Sequence, residues 1–308
     1  MNTPPAASPA KWSQPLIAKH AAVGAAFATL CSAALAQIAA NAPGVARGDD
    51  PEYLHQLRVG IRRLLSAMRA FRPLLRRKRA DAVARPLRAM MRVFGAARDW
   101  DVLCFTLARA KASKSLVARA HEQRSTVAGA ARELASSRTF ESAQSRVLRW
   151  LKSDPWRSHA APNDPLLGYA RRSLERAHRR LHKRARRIDW RDPARRHALR
   201  IALKRLRYGC DFFAACFPHQ AVRPFVARLA RLQDSLGELN DIAVARALLD
   251  ELHADTAHVQ RFLARREREL IALLAKDWAA LERQRPYWQP QPAPRARRRI
   301  PRASATRA

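Results

Sequence analysis

The decamer HQLRVGIRRL at residues 55–64 returns, little changed, as HALRIALKRL at residues 197–206. Each copy spaces a histidine and two basic residues by three and then four positions, which on a helix places them on one stripe. An Arg guanidinium binds two phosphate oxygens at once, a Lys ammonium adds a point charge, and a protonated His adds N–H donors. The pattern therefore predicts a surface that binds phosphate groups. Its members are His55, Arg58 and Arg62 in the first copy and His197, Arg200 and Lys204 in the second.

The basic stripe extends beyond the two decamers. A solvated basic face is the usual explanation of a charge run on a helix. Here almost no acidic partners stand four residues away, and the stripe borders an apolar seam, so a groove between packed helices is the better interpretation. The further members are Arg69 and Arg76 in the first copy and Arg207 in the second, with a similar row of Arg85, Arg88 and Arg92 on the next helix.

Composition supports a polyanionic partner. The chain of 308 residues carries 60 Lys and Arg against 25 Asp and Glu, a formal net charge of +35. A charge this large repels itself unless a polyanion is near, and nucleic acid, an acidic membrane face or a phosphate polymer would all serve. Codon bias explains the excess of Arg over Lys, but it does not explain the shortage of acidic residues.

Apolar residues recur at spacings of three and four along nearly the whole chain, Gly is scarce at 9 residues, and period-two alternation is absent over any length. This pattern predicts an all-α fold. The Pro- and Ala-rich residues 1–14 predict a loose N-terminus, and the Pro- and Arg-rich residues 286–308 predict a disordered tail. The predicted helices span residues 15–41, 51–79, 83–111, 113–135, 139–152, 166–188, 193–217, 221–252 and 255–284.

The repeat is longer than the decamer. With a shift of 142 residues and no gap, Asp50-Pro51 falls on Asp192-Pro193, and both pairs are suited to the N-cap and first turn of a helix. An apolar seam that begins at Leu57 repeats with it. Further along, Gly95, Arg98 and Asp99 fall on Gly237, Asn240 and Asp241. The period is too long for a solenoid and indicates a duplicated half-domain.

The uncharged stretch 21–40 allows three interpretations. Its length fits a membrane span, and the A-L-A at 34–36 fits a signal-peptide cleavage site. Ala and Gly dominate it, however, and its positively charged flank is thin. The duplication maps it onto the helix predicted near 166–188, which favours a buried first helix of the first half.

The two decamers and the segments FGAARDWDVL and LGELND resemble the motifs of the CHAD domain, the conserved-histidine α-helical domain. The resemblance covers residues 15–285. It implies two four-helix bundles, about 15–160 and 161–285, related by pseudo-twofold symmetry with a basic groove between them. CHAD domains bind inorganic polyphosphate, and some direct proteins to polyphosphate granules.

Matching the motifs residue by residue gives the expected site. Arg63 and Arg205 match the motif although they lie on another face of their helices, and Leu65 stands where the second copy has Arg207. The histidines, placed near anions, should have raised pKa values and strengthen binding on mild acidification. The expected polyphosphate-binding residues are His55, Arg58, Arg62, Arg63, Arg69, Arg88, Arg92, His197, Arg200, Lys204, Arg205, Arg207 and Tyr208. The residues expected to hold the arginines in place are Arg98, Asp99, Asn240 and Asp241.

Three classes of function compete: a polyphosphate-binding module, a non-specific nucleic-acid-binding protein and a phosphate-transfer enzyme. The sequence has no G-x-x-x-x-G-K-[ST] loop and no carboxylate cluster suited to magnesium, and it lacks the E-x-E-x-K motif of the CYTH catalytic domain. We therefore expect a non-enzymatic polyphosphate binder without a cofactor. We place it in the cytoplasm at granules, with no membrane partner. Non-specific nucleic-acid binding is the alternative, and a separately encoded phosphate-metabolising enzyme stays open as a partner.

Metal binding and disulfide bonding have weaker signals. His178 and His182 stand four residues apart and could ligate a metal, but no nearby carboxylate or Cys completes a set, so no metal site is predicted. The cysteines form no C-x-x-C pair and sit among apolar neighbours, which predicts buried thiols in a reducing compartment. They are Cys31, Cys104, Cys210 and Cys216.

Overall fold

The structure, a computed structural model, describes residues 8–18, here called the N-terminal arm, and residues 20–289. Over these residues the structure contains nine α-helices and three short 3-10 turns, and no strand is formed, so the predicted all-α fold is confirmed. The helices are α1 (Val23–Arg47), α2 (Pro51–Ala70), α3 (Arg77–Arg109), α4 (Lys114–Ala135), α5 (Arg138–Lys152), α6 (Leu166–Ala185), α7 (Pro193–Phe212), α8 (His219–Glu251) and α9 (Ala257–Glu282).

The two duplicated helices begin in the same way. In α2 the Asp50 carboxylate accepts a hydrogen bond from the backbone N–H of Glu52 at 2.8 Å. In α7 the Asp192 carboxylate accepts from the N–H groups of Ala194 and Arg195 at 2.8 and 3.1 Å. Each carboxylate satisfies N–H groups that have no partner within the helix, with Pro at the first helical position. These caps fix where both basic stripes begin.

The first helix begins later in the sequence than predicted. It was expected at 15–41, but it begins at Val23, whose N–H donates to the Asp164 carbonyl at 3.0 Å. The residues before Val23 therefore pair with the segment before α6 instead of forming a helical turn. The helix continues to Arg47 through Pro43, which cannot donate a backbone hydrogen bond.

The helix predicted at 51–79 is divided in two. α2 ends at Ala70, a 3-10 turn follows, and α3 begins at Arg77 rather than at 83. The side chains of Phe71 and Leu75 are both fully buried, so the chain turns between them to bring both into the core. The second copy ends in the same way, since a 3-10 turn also follows α7.

By length and composition α1 is the single described helix that could cross a membrane. In the structure it packs on α2 and α4, with Phe27, Leu30 and Ile38 at 1% exposure. The close approach to α2 depends on Gly60, where a Cβ atom would lie 2.8 Å from the Ile38 side chain. The structure thus uses α1 as a core helix, as the repeat predicts.

Helix packing follows the duplication. In the first half α1 packs on α2, α2 on α3 and α3 on α4, and in the second half α6, α7, α8 and α9 pair in the same order. The halves meet where α2 packs on α7 and α3 packs on α8. These two contacts bring the duplicated basic helices together. The pseudo-twofold relation between two four-helix bundles stays a prediction.

Aromatic side chains fix the junction between the halves. The Phe71 ring, just after α2, lies 5.3 Å from the Tyr169 ring and 5.7 Å from the Phe213 ring, both of the second half. The Tyr169 hydroxyl donates to the Ala70 carbonyl at 2.7 Å. Because these rings are buried and tightly packed, they hold α2 and α7 in a fixed relation.

The prediction that residues 1–14 are loose is wrong for the part that the structure describes. The Asn41 side chain accepts from the Ala10 N–H at 3.1 Å and donates to the Ala10 carbonyl at 2.9 Å. The Trp12 ring lies 4.2 Å from the Arg63 guanidinium, a cation–π contact. Packing and paired backbone groups thus order an arm that composition alone marks as loose.

Disorder from residue 286 onward is also wrong for residues 286–289, here called the C-terminal strap. Trp288 is 2% exposed, and its indole N–H donates to the Glu175 carboxylate at 3.1 Å. The Tyr287 ring packs against Phe217 at 5.0 Å. The two aromatic residues bury enough apolar surface to order this Pro-rich segment. The rest of the predicted tail lies outside the described residues.

Candidate functional site

Four helices gather basic side chains from both copies of the decamer. α2 carries Arg58 and Arg62, and α7, packed against it, carries Arg200 and Lys204. The positive charge of Arg62 lowers the pKa of both Arg58 and Lys204, so the two helices direct these groups at one another. Beside them, α3 and α8 add the segments that carry the second motif. The resulting central cluster comprises Arg58, Arg62, Arg98, Arg200 and Lys204, with the carboxylates of Asp99 and Asp241.

The arginines of the central cluster have unused donors. Burial lowers the pKa of Arg58 to about 10, and the neighbouring charge of Arg62 adds to this effect. Its Nη1 donates to the Gly95 carbonyl at 3.2 Å, but its Nε is buried without a hydrogen-bond partner among the described residues. The Nε of Arg200 is likewise buried and unpartnered. Because leaving buried donors unpaired is costly, a ligand with several acceptor oxygens would be stabilised here.

Lys204 is a member of the central cluster whose charge depends on pH near neutrality. Burial, followed by the charges of Arg62 and Arg200, lowers its pKa to about 7, while the Asp241 carboxylate acts in the opposite direction. An ammonium group in this position is only partly protonated at neutral pH. A bound anion would raise its pKa again, so binding and protonation are coupled at this residue.

The two carboxylates of the cluster are partly buried. Burial raises the pKa of Asp99 and of Asp241, while Arg58 acts on Asp99 and Arg200 acts on Asp241 to lower it. Each Asp therefore faces the arginine at the same position of its own half. This placement supports their expected role of holding the arginines, although two carboxylates do not neutralise five basic groups.

The two motif histidines differ. His55 is partly buried, and its pKa is lowered by burial and by the charge of Arg98. His197 is exposed, and its Nδ1 lies 3.2 Å from the Asn240 amide oxygen. The exchange of Arg98 for Asn240 between the halves thus changes the environment of each histidine. The expected rise in pKa concerns the protein with a bound anion and stays a prediction.

Arg63 and Arg207 belong to a different group of side chains. Arg63 is 12% exposed, pairs with the Asp211 carboxylate at 3.5 Å, and stacks on Tyr208 at 5.4 Å and on Trp12. The charge of Arg207 also acts on Asp211, whose pKa is raised by burial. Three residues expected to bind phosphate, Arg63, Arg207 and Tyr208, are therefore grouped with Asp211, and the Trp12 ring of the N-terminal arm covers Arg63.

A basic cavity, here called the arginine cleft, lies at the C-terminal end of α2. It measures about 390 Å³, and the expected ligands Arg69 and Arg205 line it together with Ser66. Arginines that sequence reasoning did not assign line it as well. The spacing of four between Arg176 and Arg180 on α6 was the available signal for them. These further arginines are Arg72, Arg77, Arg157, Arg176 and Arg180.

A neighbouring cavity of about 300 Å³ lies between the arginine cleft and Arg62 of the central cluster. It shares Arg69 with the cleft and Arg62 with the cluster, and Arg88 lines its far wall. Leu65, the departure from the second copy, lies in its lining and interrupts the basic row. The last expected ligand, Arg92, is exposed one turn beyond Arg88.

Other reactive side chains lie away from these cavities. The His178 and His182 rings lie 4.2 Å apart, and burial followed by the charge of His182 lowers the pKa of His178 to about 4. They pack against Trp288 and Trp278. Over the described part of the chain, no three His, Cys, Asp or Glu side chains group as a metal site. The four cysteines are free thiols.

Comparison with known proteins adds three findings. A family model described as the CHAD domain matches residues 29–250. The crystal structure of the CHAD domain from the plant Ricinus communis superposes with a TM-score of 0.72 at 28% identity, covering 91% of this chain and 98% of that one. PptA from Streptomyces chartreusis has the same fold, with a TM-score of 0.61 at 15% identity over 85% of this chain and 98% of its own. No curated protein matches the chain.

Proposed function

The chain belongs to the CHAD domain family, and we propose that it binds inorganic polyphosphate through the central cluster. The observation that carries the proposal is the meeting of basic side chains from both copies of the decamer, with guanidinium donors that are buried and unpartnered. Polyphosphate carries a negative charge on each internal phosphate and has no bases to be read. Arginine forks, an ammonium and histidines are the groups that recognise such a chain.

The position of the cluster favours a thin, flexible polymer. Arg58 and Lys204 are partly buried between the two halves, whereas a DNA duplex presents its phosphates on a wide, stiff cylinder. A duplex would reach exposed arginines such as Arg92 before it reached these two side chains. A single phosphate chain is thin enough to reach partly buried side chains. Non-specific nucleic-acid binding, for which the charge of +35 is equally suited, is the second candidate.

The same proposal includes a role without catalysis. The cluster offers cations and two carboxylates that face arginines. We propose that the protein holds polyphosphate at granules in the cytoplasm rather than making or cleaving it. A separately encoded phosphate-metabolising enzyme is a further proposed partner.

A matched pair of variants tests the proposal. Arg62→Ala with Lys204→Ala removes one Arg and one Lys from the central cluster. Arg146→Ala with Lys152→Ala removes the same charge from the exposed face of α5. We expect the first variant to bind labelled long-chain polyphosphate about ten-fold or more weakly, since each charge-assisted hydrogen bond contributes on the order of 1.5–3 kcal/mol.

The control variant should bind within about two-fold of the wild type, because exposed charges contribute little. Circular dichroism should show the same helical content in all three proteins. An equal loss of affinity in both variants, with helicity intact, would show that overall charge and not the central cluster holds the polymer.

A further inference from the structure

The duplication makes two groups of side chains equivalent, one around Arg63 and one around Arg205, and the two groups differ in charge. The shift of 142 residues relates Arg63 to Arg205, Ser66 to Tyr208 and Arg69 to Asp211. One group of residues, Arg63, Tyr208 and Asp211, therefore has a counterpart made of the equivalent positions in the opposite halves. The counterpart is Arg205, Ser66 and Arg69. The structure brings each group together, the first as an ion pair with a stacked ring and the second around one cavity.

The first of these places is closed and contains a carboxylate. The Arg63 guanidinium lies 3.5 Å from the Asp211 carboxylate, and its faces are covered by the Tyr208 and Trp12 rings. The N-terminal arm also bonds to this end of α7, where the Gln14 amide donates to the Asp211 carbonyl at 2.8 Å. Carboxylate, rings and arm together cover the Arg63 guanidinium, whose Nε and Nη1 have no hydrogen-bond partner among the described residues.

The second place is open and uncompensated. Arg69 stands where the carboxylate would be, so Arg205 faces a like charge, and the small Ser66 replaces the covering tyrosine. The pKa of Arg69 is lowered by burial and then by Arg205, Arg88, Arg72 and Arg180. No Asp or Glu belongs to the described lining of the cavity.

The chain adds further arginines to the open place alone. α6 contributes Arg176 and Arg180, and the segment before it contributes Arg157. α1, the counterpart of α6, carries no charged residue before Arg47. The extra charge is thus a feature of one half and does not follow from the duplication. Of the cleft arginines, Arg72 has a carboxylate partner, Asp81 at 2.8 Å.

Arginines held together without carboxylates repel one another unless an anion lies between them. A single phosphate is too small to contact arginines on α2, α6 and α7 in a cavity of about 390 Å³. We propose that the arginine cleft is a second phosphate-binding site, separate from the central cluster, that takes a short chain of linked phosphates the size of tripolyphosphate. Arg69, Arg205, Arg176 and Arg180 bind its oxygens.

The test isolates the cleft by first disabling the central cluster. In the full chain carrying Arg58→Ala and Lys204→Ala, titration calorimetry with inorganic tripolyphosphate should show one remaining site. Adding Arg69→Asp, which restores the acid found at Asp211, should weaken that binding about ten-fold or more, because Arg205 then has an internal partner. Arg69→Gln, which adds no acid, should weaken it in the same direction.

A second pair of variants controls for charge on α6. Arg176→Gln with Arg180→Gln should also weaken tripolyphosphate binding. Arg171→Gln with Arg179→Gln removes the same charge from the same helix, outside the cleft lining, and should leave binding within about two-fold. ATP in place of tripolyphosphate shows whether the site also accepts a nucleotide as the source of its phosphates.

Two results would overturn the second site. One is a folded protein without the central cluster that binds no tripolyphosphate. The other is unchanged binding after both Arg69→Asp and the Arg176 and Arg180 substitutions. Binding of long-chain polyphosphate by the wild type is measured separately, so failure of the cleft and failure of the central cluster give different patterns.

Discussion

Replacing Lys204 by arginine should remove a pH dependence from polyphosphate binding without removing the binding. The Lys204 pKa is about 7 in the free protein because burial and the charges of Arg62 and Arg200 disfavour the ammonium. A bound polyanion favours the ammonium and raises this pKa. Above pH 7 the protein must therefore take up a proton in order to bind. An arginine in this place stays protonated throughout, so Lys204→Arg needs no proton.

The magnitude follows from proton linkage. If the anion restores the Lys204 pKa to near its ordinary value of 10.5, affinity falls by up to about ten-fold per pH unit above pH 7. Between pH 7 and pH 9 the total loss is up to about fifty-fold, or about 2 kcal/mol. Lys204→Arg should lose much less over this interval.

Fluorescence polarisation with labelled long-chain polyphosphate at constant ionic strength measures the effect. A long chain has few terminal phosphates that titrate near neutrality. Titration of Lys204 does not unfold the protein at high pH and so does not produce a false loss of affinity. Because the Lys204 pKa is lowered in the folded state, the unfolded chain binds more protons than the folded protein between pH 7 and 10.5. Its contribution to folding stability therefore rises with pH over this window.

Two outcomes would refute this reasoning. The wild-type affinity could be constant between pH 7 and pH 9, which would show that the anion does not contact Lys204. The Lys204→Arg variant could keep the full slope, which would place the titrating group elsewhere. A slope near one in the wild type, absent from the arginine variant, assigns the proton to Lys204.

Two further predictions concern stability. Arg196 is buried and donates to the Glu267 carboxylate at 2.7 Å, so Arg196→Ala should lower the free energy of unfolding in urea by about 3 kcal/mol. The exposed neighbour Arg195→Ala should change it by less than about 1 kcal/mol, and equal effects would contradict the buried-pair argument. Trp288→Ala should cost about 3–5 kcal/mol in the same assay, since it empties a buried site and removes one of the hydrogen-bond donors to Glu175. A cost below about 1 kcal/mol would show that the C-terminal strap does not pack in solution.

Much of the fold follows from local signals. All nine helices were predicted because apolar spacing of three and four is a property of each segment by itself. The first residues of α2 and α7 were predicted correctly, since an Asp-Pro pair caps the N-terminus of the helix that it begins. The ends of those helices were missed because the buried Phe71 and its neighbours, rather than a local breaker, decide where the chain turns.

The central cluster was also within reach of the sequence. The shared stripe predicts that Arg58 and Arg62 share one face of α2 and that Arg200 and Lys204 share one face of α7, because spacing alone sets a helix face. The structure packs these two helices together. The partner of a side chain on another face is set by tertiary packing. Spacing therefore gave no sign that Arg63 would be covered by an N-terminal arm.

The difference between the two arginine positions needed the structure for the same reason. Arg63 and Arg205 occupy the same position of the motif. In the structure Arg63 pairs with Asp211, whereas Arg205 lines a cavity. The substitution of Arg69 for an acid is visible in the alignment of the halves, but its consequence depends on which helices meet. Order in the C-terminal strap was missed because Trp288 finds its pocket on α6, far away in the sequence.

The most direct test of the central claim is a competition. The chain ending at Gln289, which keeps the strap and omits the basic tail, is loaded with labelled long-chain polyphosphate at about 0.15 M salt. Unlabelled polyphosphate and duplex DNA are then added at equal phosphate concentration. We predict that polyphosphate displaces the label and that DNA does so at least about ten-fold less effectively. Equal displacement by DNA would contradict the claim and identify the protein as a general polyanion binder.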